Sequence, residues 1–71
     1  MPEKERVVST STFSKAEDAL IRSWLFEQYG VRFPRFAFWR LNPVQAIQKI
    51  TEDAPGLKIK AGDLETVARR S

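Results

Sequence analysis

The chain has 71 residues, carries a formal net charge of +3 and contains neither cysteine nor histidine. This length fits one small domain, and such a domain buries only about 60% of the surface of its unfolded chain. The missing residue types exclude disulfides, thiolate metal sites and cysteine nucleophiles, together with the usual zinc ligand and the usual general base near neutral pH. We therefore expect a protein that is not an enzyme and that uses no cofactor or metal.

The apolar segments are short. No apolar run approaches the roughly 18 residues that span a bilayer, and the N-terminus lacks the apolar core of a signal peptide. We therefore expect a cytoplasmic protein without a membrane partner. Residues 1–12 combine charges of alternating sign with a run of hydroxyl side chains. This composition predicts a flexible tail, followed by a single globular domain at 13–71.

The positive charge is concentrated in one part of the chain. Residues 28–51 contain no acidic side chain but contain Arg32, Arg35, Arg40 and Lys49. The whole chain has 12 basic and 9 acidic residues, so acidic residues outnumber basic ones outside this window. The first half of the window also interleaves its arginines with phenylalanine and tryptophan. Such a local excess of positive charge favours a polyanionic partner, either nucleic acid or an acidic protein surface.

The first helix is marked at both ends. Ser14 and Glu17 have the spacing of a capping box, in which each side chain satisfies a backbone N–H of the other residue. Gly30 is suited to the left-handed conformation that ends many helices. These signals predict a helix at 15–29.

Apolar side chains occur on most sides of this helix. Projected at 100° per residue, Ile21, Leu25 and Tyr29 form one arc, and Leu20 and Trp24 belong to another. We expect the helix to lie centrally in the core or to pack on two neighbours, one of which could be a second copy in a homodimer. The arc of Ile21, Leu25 and Tyr29 is then a candidate protein interface.

Residues 31–41 are open to two interpretations. Pro34 suits the first turn of a short helix, whereas the density of aromatic residues favours a strand. As a strand, the segment would occupy 36–40 and would pair with a second strand at 57–60, and only tertiary contacts decide between the two. Trp39 is the ring here that we most expect to be exposed, and it joins the candidate interface.

The second helix carries the candidate recognition surface. Asn42 is a good N-cap and Pro43 suits the first helical position, which predicts a helix at about 44–52. Its polar face presents Gln45, Gln48 and Lys49, and amide and ammonium groups of this kind can bond to base edges in the major groove. Phosphate contacts would come from the arginines of the preceding window.

A third helix is predicted near 64–70, with Asp63 as its N-cap. The predicted fold is mainly α, a small three-helix domain with a short two-stranded β element as an option. Its expected core residues are Leu20, Trp24, Leu25, Phe36, Val44, Ile47 and Ile50, with Phe33 and Phe38 also expected to be buried.

Parts of the sequence resemble a known family. Phe13-Ser14, Glu17-Asp18 and Tyr29-Gly30 resemble the opening of a Myb/SANT-type repeat, which usually begins with a tryptophan, a hydroxyl residue and an acidic pair. This chain has Phe13 in place of the tryptophan. Phe33 looks like the family's second landmark, and residues 42–50 look like its third helix. The resemblance covers residues 13–50, and it implies a helix-turn-helix domain whose last helix enters the major groove.

The sequence therefore supports two functional interpretations. The leading interpretation is a small DNA-binding or transcription-modulating protein that uses Arg32, Arg35 and Arg40 on phosphates and the second helix on bases. The alternative is a protein-interaction or assembly module, because aromatic and arginine side chains favour interface hot spots. Sequence reasoning leaves open whether the nucleic acid is DNA or RNA.

Overall fold

The computed structural model of the protein describes residues 12–70. Within them the chain forms three α-helices, α1 (Lys15–Tyr29), α2 (Pro43–Asp53) and α3 (Ala61–Ala68). We call residues 31–42, which connect α1 to α2, the aromatic loop. The mainly α, three-helix fold class is confirmed. The tail expected at 1–12 lies outside the described residues except for Thr12.

The ends of α1 and α2 form as their sequences predict. Glu17 N donates to Ser14 Oγ at 3.2 Å, and Ser14 N donates to Glu17 Oε1 at 2.7 Å. Gln45 and Asn42 repeat this reciprocal pair at the start of α2. Gly30 ends α1 with a φ of 70°. Each capping box satisfies two N–H groups that a helix start leaves without intrahelical partners, which explains why both helices begin at these positions.

The start of α3 differs from the prediction. The helix begins at Ala61 rather than near residue 64, and it ends at Ala68 rather than residue 70. Asp63 is therefore not its N-cap. The carboxylate of Asp63 instead accepts a hydrogen bond from Lys60 N at 3.1 Å. An acidic residue at the third helical position can satisfy the N-cap backbone, so Asp63 marks an N-cap three residues before itself, at Lys60.

The optional prediction of two paired strands, at 36–40 and 57–60, is wrong. Phe36 and Arg40 have φ values of 67° and 68°, which lie in the left-handed region that an extended strand does not use. Residues 57–60 are outside helices but form no ladder. Between residues 12 and 70 the β-type pairing is a single parallel bridge that joins Phe13 to Trp39. The aromatic loop is thus irregular, with turns and bends at residues 35–38 and 40 and the bridge at Trp39.

Helix α3 holds the domain together. It packs against both α1 and α2, whereas α1 and α2 do not pack directly on each other. Leu64, Val67 and Ala68 provide its buried side. Among residues 12–70 the buried hydrophobic residues that form the core are Phe13, Ile21, Leu25, Phe33, Phe38, Ala46, Ile50, Ile59, Leu64, Val67 and Ala68.

The predicted core is correct for some residues and wrong for others. Leu25 and Ile50 are buried as expected, as are Phe33 and Phe38. Leu20, Trp24 and Ile47 are partly buried and pack against the core. Phe36 is 42% exposed and Val44 is 51% exposed, so neither belongs to the core.

The exposure of Val44 follows from the orientation of α2. The buried side of this helix is formed by Pro43, Ala46 and Ile50. At 100° per residue Val44 lies about 100° from Pro43, and this places it at the flank of that side. Ile47 and Ile50 lie on or beside the buried side, so the predicted apolar face of Val44, Ile47 and Ile50 is wrong only at Val44.

Candidate nucleic-acid interface

A buried carboxylate organises the aromatic loop. Asp18 on α1 is 0% exposed. Its Oδ1 accepts a hydrogen bond from Phe38 N at 2.9 Å, and its Oδ2 accepts from Phe36 N at 3.1 Å and from Arg22 Nε at 2.8 Å. A buried charge is tolerated when it is paired and hydrogen-bonded, and these three donors meet that condition. The loop is therefore fastened to α1 at two backbone positions.

This fastening decides which rings face inward. Phe38 is fully buried, and its ring lies 5.1 Å from that of Phe33, centroid to centroid. Phe36 faces outward and is held at a positive φ. The left-handed conformation costs a residue other than glycine roughly 1–2 kcal/mol. The hydrogen bond from Phe36 N to Asp18 helps to hold this exposed ring in position.

Phe36 belongs to a surface group of rings and cations. Its ring centroid is 5.5 Å from that of Trp39. Lys15 Nζ lies 5.3 Å from the Phe36 centroid and 4.8 Å from the Trp39 centroid, and the Arg40 guanidinium lies 4.8 Å from Trp39. We call Lys15, Phe36, Trp39 and Arg40 the ring–cation cluster. Its contacts are within the range of cation–π attraction, so they order both cations near the surface.

A second group lies nearer the C-terminal end of α1. The Arg32 guanidinium lies 4.5 Å from the centroid of the Phe26 ring. Beside it is a pocket of about 220 Å³ that is lined by Arg22, Ser23, Phe26, Arg32 and Phe33. We call it the Arg22–Arg32 pocket.

The two groups follow one side of α1. At 100° and 1.5 Å per residue, Lys15, Arg22 and Phe26 fall within an arc of about 40° and along about 16 Å of helix. The aromatic loop runs back along this side, from Arg32 at Phe26 to Trp39 at Lys15. The ring–cation cluster, the Arg22–Arg32 pocket and Asp18 therefore lie along a common seam between α1 and the loop. We call this set of residues the α1–loop seam.

Most of these cations lack a carboxylate partner. Within residues 12–70 the salt bridge found is that between Arg22 and Asp18. Arg32, Arg35 and Arg40 are exposed and form no ion pair with any acidic residue of that range. Lys49 is also unpaired there but is partly buried.

The polar face of α2 is present, but two of its members are constrained. Gln45 and Gln48 are exposed, and Lys49 is partly buried beside them. Gln45 Oε1 accepts a hydrogen bond from Asn42 N at 3.1 Å, so mainly its NH₂ group remains available to a ligand. At 100° per residue Glu52 lies on the same face, one turn beyond Gln48. The N-terminal half of this face is therefore the half suited to a polyanion.

Within residues 12–70 no hydrogen bond or ion pair joins the side chains of Gln45, Gln48 or Lys49 to the α1–loop seam. Arg40 is the basic residue of the seam that precedes α2 most closely in the chain. The aromatic loop contains no helix. It occupies the stretch in which a Myb/SANT-type repeat would have its second helix, and α2 is therefore entered from a loop.

The candidate protein interface needs a correction. Ile21 and Leu25 are both 0% exposed, because they belong to the hydrophobic core of the domain itself. A partner protein cannot reach them. Tyr29 is 42% exposed and makes an edge-to-face contact with Trp24, whereas Trp39 is partly buried under Lys15.

Sequence reasoning missed four residues of the seam. Asp18 entered the sequence analysis only as part of the acidic pair that resembles the start of a Myb/SANT-type repeat, and Lys15, Arg22 and Ser23 were given no role. The spacing of Asp18 and Arg22 by four residues was the available signal, since such pairs share a helix face. Nothing local indicated that Asp18 would be buried under a loop that lies 18 to 20 residues further along the chain.

The chain was compared with family models, with curated proteins and with solved structures, and none of them matches it. Within residues 12–70 there is no group of three or more acidic side chains placed to hold a metal ion. None of the helices in this range is long and apolar enough to cross a membrane. The geometry of the seam and of α2 is thus the basis for a functional proposal.

Proposed function

We propose that the chain is a small, non-enzymatic DNA-binding protein that modulates transcription inside the cell. In this proposal Arg32, Arg35 and Arg40 contact backbone phosphates. The observation that supports it most directly is that these three exposed guanidinium groups have no carboxylate partner within residues 12–70. Their loop is fixed to α1 by Asp18, so little ordering entropy has to be lost on binding.

Helix α2 contributes the base contacts. The Gln48 amide forms no hydrogen bond within residues 12–70, so it can bond to the N6 and N7 atoms of adenine, while Gln45 offers its NH₂ group and Lys49 reaches guanine or phosphate. Glu52 and Asp53 would repel phosphates from the C-terminal end of α2. The helix therefore approaches the groove with its N-terminal half, as recognition helices commonly do. The Myb/SANT-type resemblance supports this proposal only through α2, because the loop before it is not helical.

The proposal is tested by measuring duplex binding across a range of salt concentrations by fluorescence anisotropy. Each neutralised phosphate lowers the slope of log affinity against log salt by about 0.9. Three arginine contacts thus predict a slope near −2.7, and a contact from Lys49 makes it steeper. A flat slope, or no binding to any duplex at low salt, rules the proposal out. Single-stranded DNA and RNA of the same sequence, measured in parallel, identify the preferred nucleic acid.

A protein-interaction or assembly module is the second candidate. Phe26 and Tyr29, near the C-terminal end of α1, are 46% and 42% exposed, and Arg32 lies over Phe26. Exposed aromatic residues beside an arginine are typical of interface hot spots. Sedimentation with and without DNA separates the candidates. A stable dimer that is indifferent to DNA favours assembly, and a monomer whose mass increases with DNA favours the first proposal.

A further inference from the structure

We propose that the Arg22–Arg32 pocket is a binding site for a single phosphate group. The inference deepens the proposed function and rests on it in naming nucleic acid as the source of that phosphate. Neither Arg22 nor Ser23 belongs to the arginine and α2 contacts described above. Three properties of the pocket support the proposal, namely the chemistry of its lining, the fixed position of its cations and its size.

The lining combines cations with a hydroxyl group and contains no carboxylate. Arg22 and Arg32 supply two guanidinium groups, and Ser23 supplies a hydroxyl donor. Phe26 and Phe33 form the apolar remainder. Guanidinium groups bind phosphate through paired N–H donors, and apolar walls lower the local dielectric and strengthen such hydrogen bonds.

Arg22 is held in place by its own salt bridge. Its Nε donates to Asp18 Oδ2 at 2.8 Å, and its side chain is 25% exposed. The Nη atoms form no hydrogen bond with any residue of the range 12–70. Asp18 itself is 0% exposed, and its two oxygens already accept three hydrogen bonds. The free edge of Arg22 is therefore offered to solvent in a fixed orientation, and the carboxylate lies behind it.

Arg32 is ordered in a different way. Its guanidinium lies over the Phe26 ring at 4.5 Å and has no carboxylate partner within residues 12–70. A guanidinium over an aromatic face keeps the N–H donors at its edge, so the contact with the ring leaves them free for an anion. Both cations of the pocket are thus partly immobilised before any ligand arrives, which reduces the entropy lost on binding.

The size of the pocket indicates that it encloses one chemical group of a ligand and not a whole small molecule. Its volume of about 220 Å³ is below the range of roughly 300–1,000 Å³ that is usual for pockets enclosing a drug-sized ligand. A phosphate fits this space, and the remainder of the ligand would lie outside it along the α1–loop seam. Both an internal phosphodiester and a terminal phosphate of a nucleic-acid strand have this chemistry.

The first test uses the full chain and inorganic phosphate at constant ionic strength, with chloride as the reference anion. Arginine Nε–H and backbone amide signals are followed by NMR. Saturable shifts at Arg22, Arg32 and Ser23, which chloride does not reproduce, are expected. Small, non-saturating shifts of similar size at all arginines, including Arg69 and Arg70, would overturn the proposal.

Two variants remove the site by different means. Arg32→Gln removes an exposed cation, and Ser23→Asp places a negative charge at the rim of the pocket. Each is expected to weaken phosphate binding at least tenfold. Arg70→Gln and Gln28→Glu are the matched controls, because they make the same changes of charge at exposed positions outside the pocket lining, and they should retain binding. Circular dichroism checks that all four variants fold. Wild-type phosphate affinity in both Arg32→Gln and Ser23→Asp would refute the site.

The second test uses nucleic acid and separates this inference from the proposed function. If the wild-type chain binds a duplex and both variants bind it equally well, the pocket is not a phosphate site for nucleic acid, although DNA binding stands. If the variants lose phosphate binding but no nucleic acid binds the wild-type chain, the pocket stands and the proposed function fails. Oligonucleotides with a 5′-phosphate or a 5′-hydroxyl distinguish a terminal phosphate from an internal phosphodiester.

Discussion

The backbone N–H of Phe38 donates a hydrogen bond to Asp18 Oδ1 at 2.9 Å, although 20 residues separate the two in the sequence. This bond, with those from Phe36 N and Arg22 Nε, is what places the aromatic loop along α1. The positions of Arg32 and Arg40 beside α1 depend on that placement, because the loop carries these two cations of the α1–loop seam.

The first prediction concerns Asp18. In Asp18→Asn one of the two oxygens becomes an NH₂ group, which cannot accept from the backbone and which faces the Arg22 guanidinium. Leaving buried donors unpaired and a cation without its partner should lower the free energy of unfolding by about 3 kcal/mol. Urea denaturation followed by tryptophan fluorescence measures this loss. Asp53→Asn is the control, since Asp53 is exposed at the end of α2 and should change stability by less than about 0.5 kcal/mol.

The second prediction compares two phenylalanines of the same loop. Phe38→Ala should lower the free energy of unfolding by about 3–5 kcal/mol, because the ring is fully buried and its loss leaves a cavity. Phe36→Ala should cost less than about 1 kcal/mol, since this ring is 42% exposed and alanine meets the same left-handed backbone. Equal losses in denaturation experiments would contradict the arrangement of rings described for the loop.

The third prediction concerns backbone strain at Arg40. Its φ of 68° favours glycine, so Arg40→Gly should be more stable than Arg40→Ala by about 1 kcal/mol. Arg35 is an exposed loop residue that is not among those with positive φ, and it provides the control. There alanine should be the more stable substitution by about 0.4–1 kcal/mol, because glycine gives the unfolded chain more freedom. If alanine is the more stable substitution at both positions, Arg40 is not strained.

The difference between predicted and observed elements follows from how far apart the interacting residues lie. The capping boxes of Ser14 and of Asn42 join residues three positions apart, so α1 and α2 could be predicted from local sequence. The aromatic loop depends on Asp18, and no local pattern indicates which of its rings turns inward. The aromatic content of the loop is also typical of a strand. The positive φ values of Phe36 and Arg40 and the hydrogen bonds to α1 exclude a strand here.

The candidate site likewise contains residues that local sequence identifies and residues whose position depends on distant contacts. Arg32, Arg35 and Arg40 could be selected from the sequence because the window around them has no acidic residue. Ile21 and Leu25 were wrongly assigned to an interface because the helix pattern alone does not show that α3 covers them. Burial within the chain and burial against a partner produce the same apolar spacing.

The fourth prediction tests the phosphate contacts. Arg35→Gln and Arg40→Gln should each weaken binding to all duplexes by a similar factor and make the salt slope shallower by about 1. Arg70→Gln carries the same charge change on the C-terminal side of α3 and should leave the slope unchanged. Fluorescence anisotropy at several salt concentrations measures both quantities. An equal effect of all three variants would indicate that net charge alone matters.

The fifth prediction tests base contacts by α2. Gln48 is exposed and makes no capping bond, so Gln48→Ala should leave the unfolding midpoint nearly unchanged. It should reduce the preference for the favoured base at one position of the site by about 1–3 kcal/mol, with an unchanged salt slope. Binding measured on a panel of single-base variants checks this. A uniform loss across the panel would place Gln48 on the phosphate backbone instead.

The position of α3 in the chain has a consequence for biosynthesis. A ribosome delivers α1, the loop and α2 first, and these can form their local caps, but α1 and α2 do not support each other directly. Leu64 and Val67 complete the core only when the last helix has emerged from the exit tunnel. Until then Ile21, Leu25 and Ile50 of a nascent chain lack the apolar surface of α3, and exposed apolar surface of this kind makes an incomplete domain prone to aggregation.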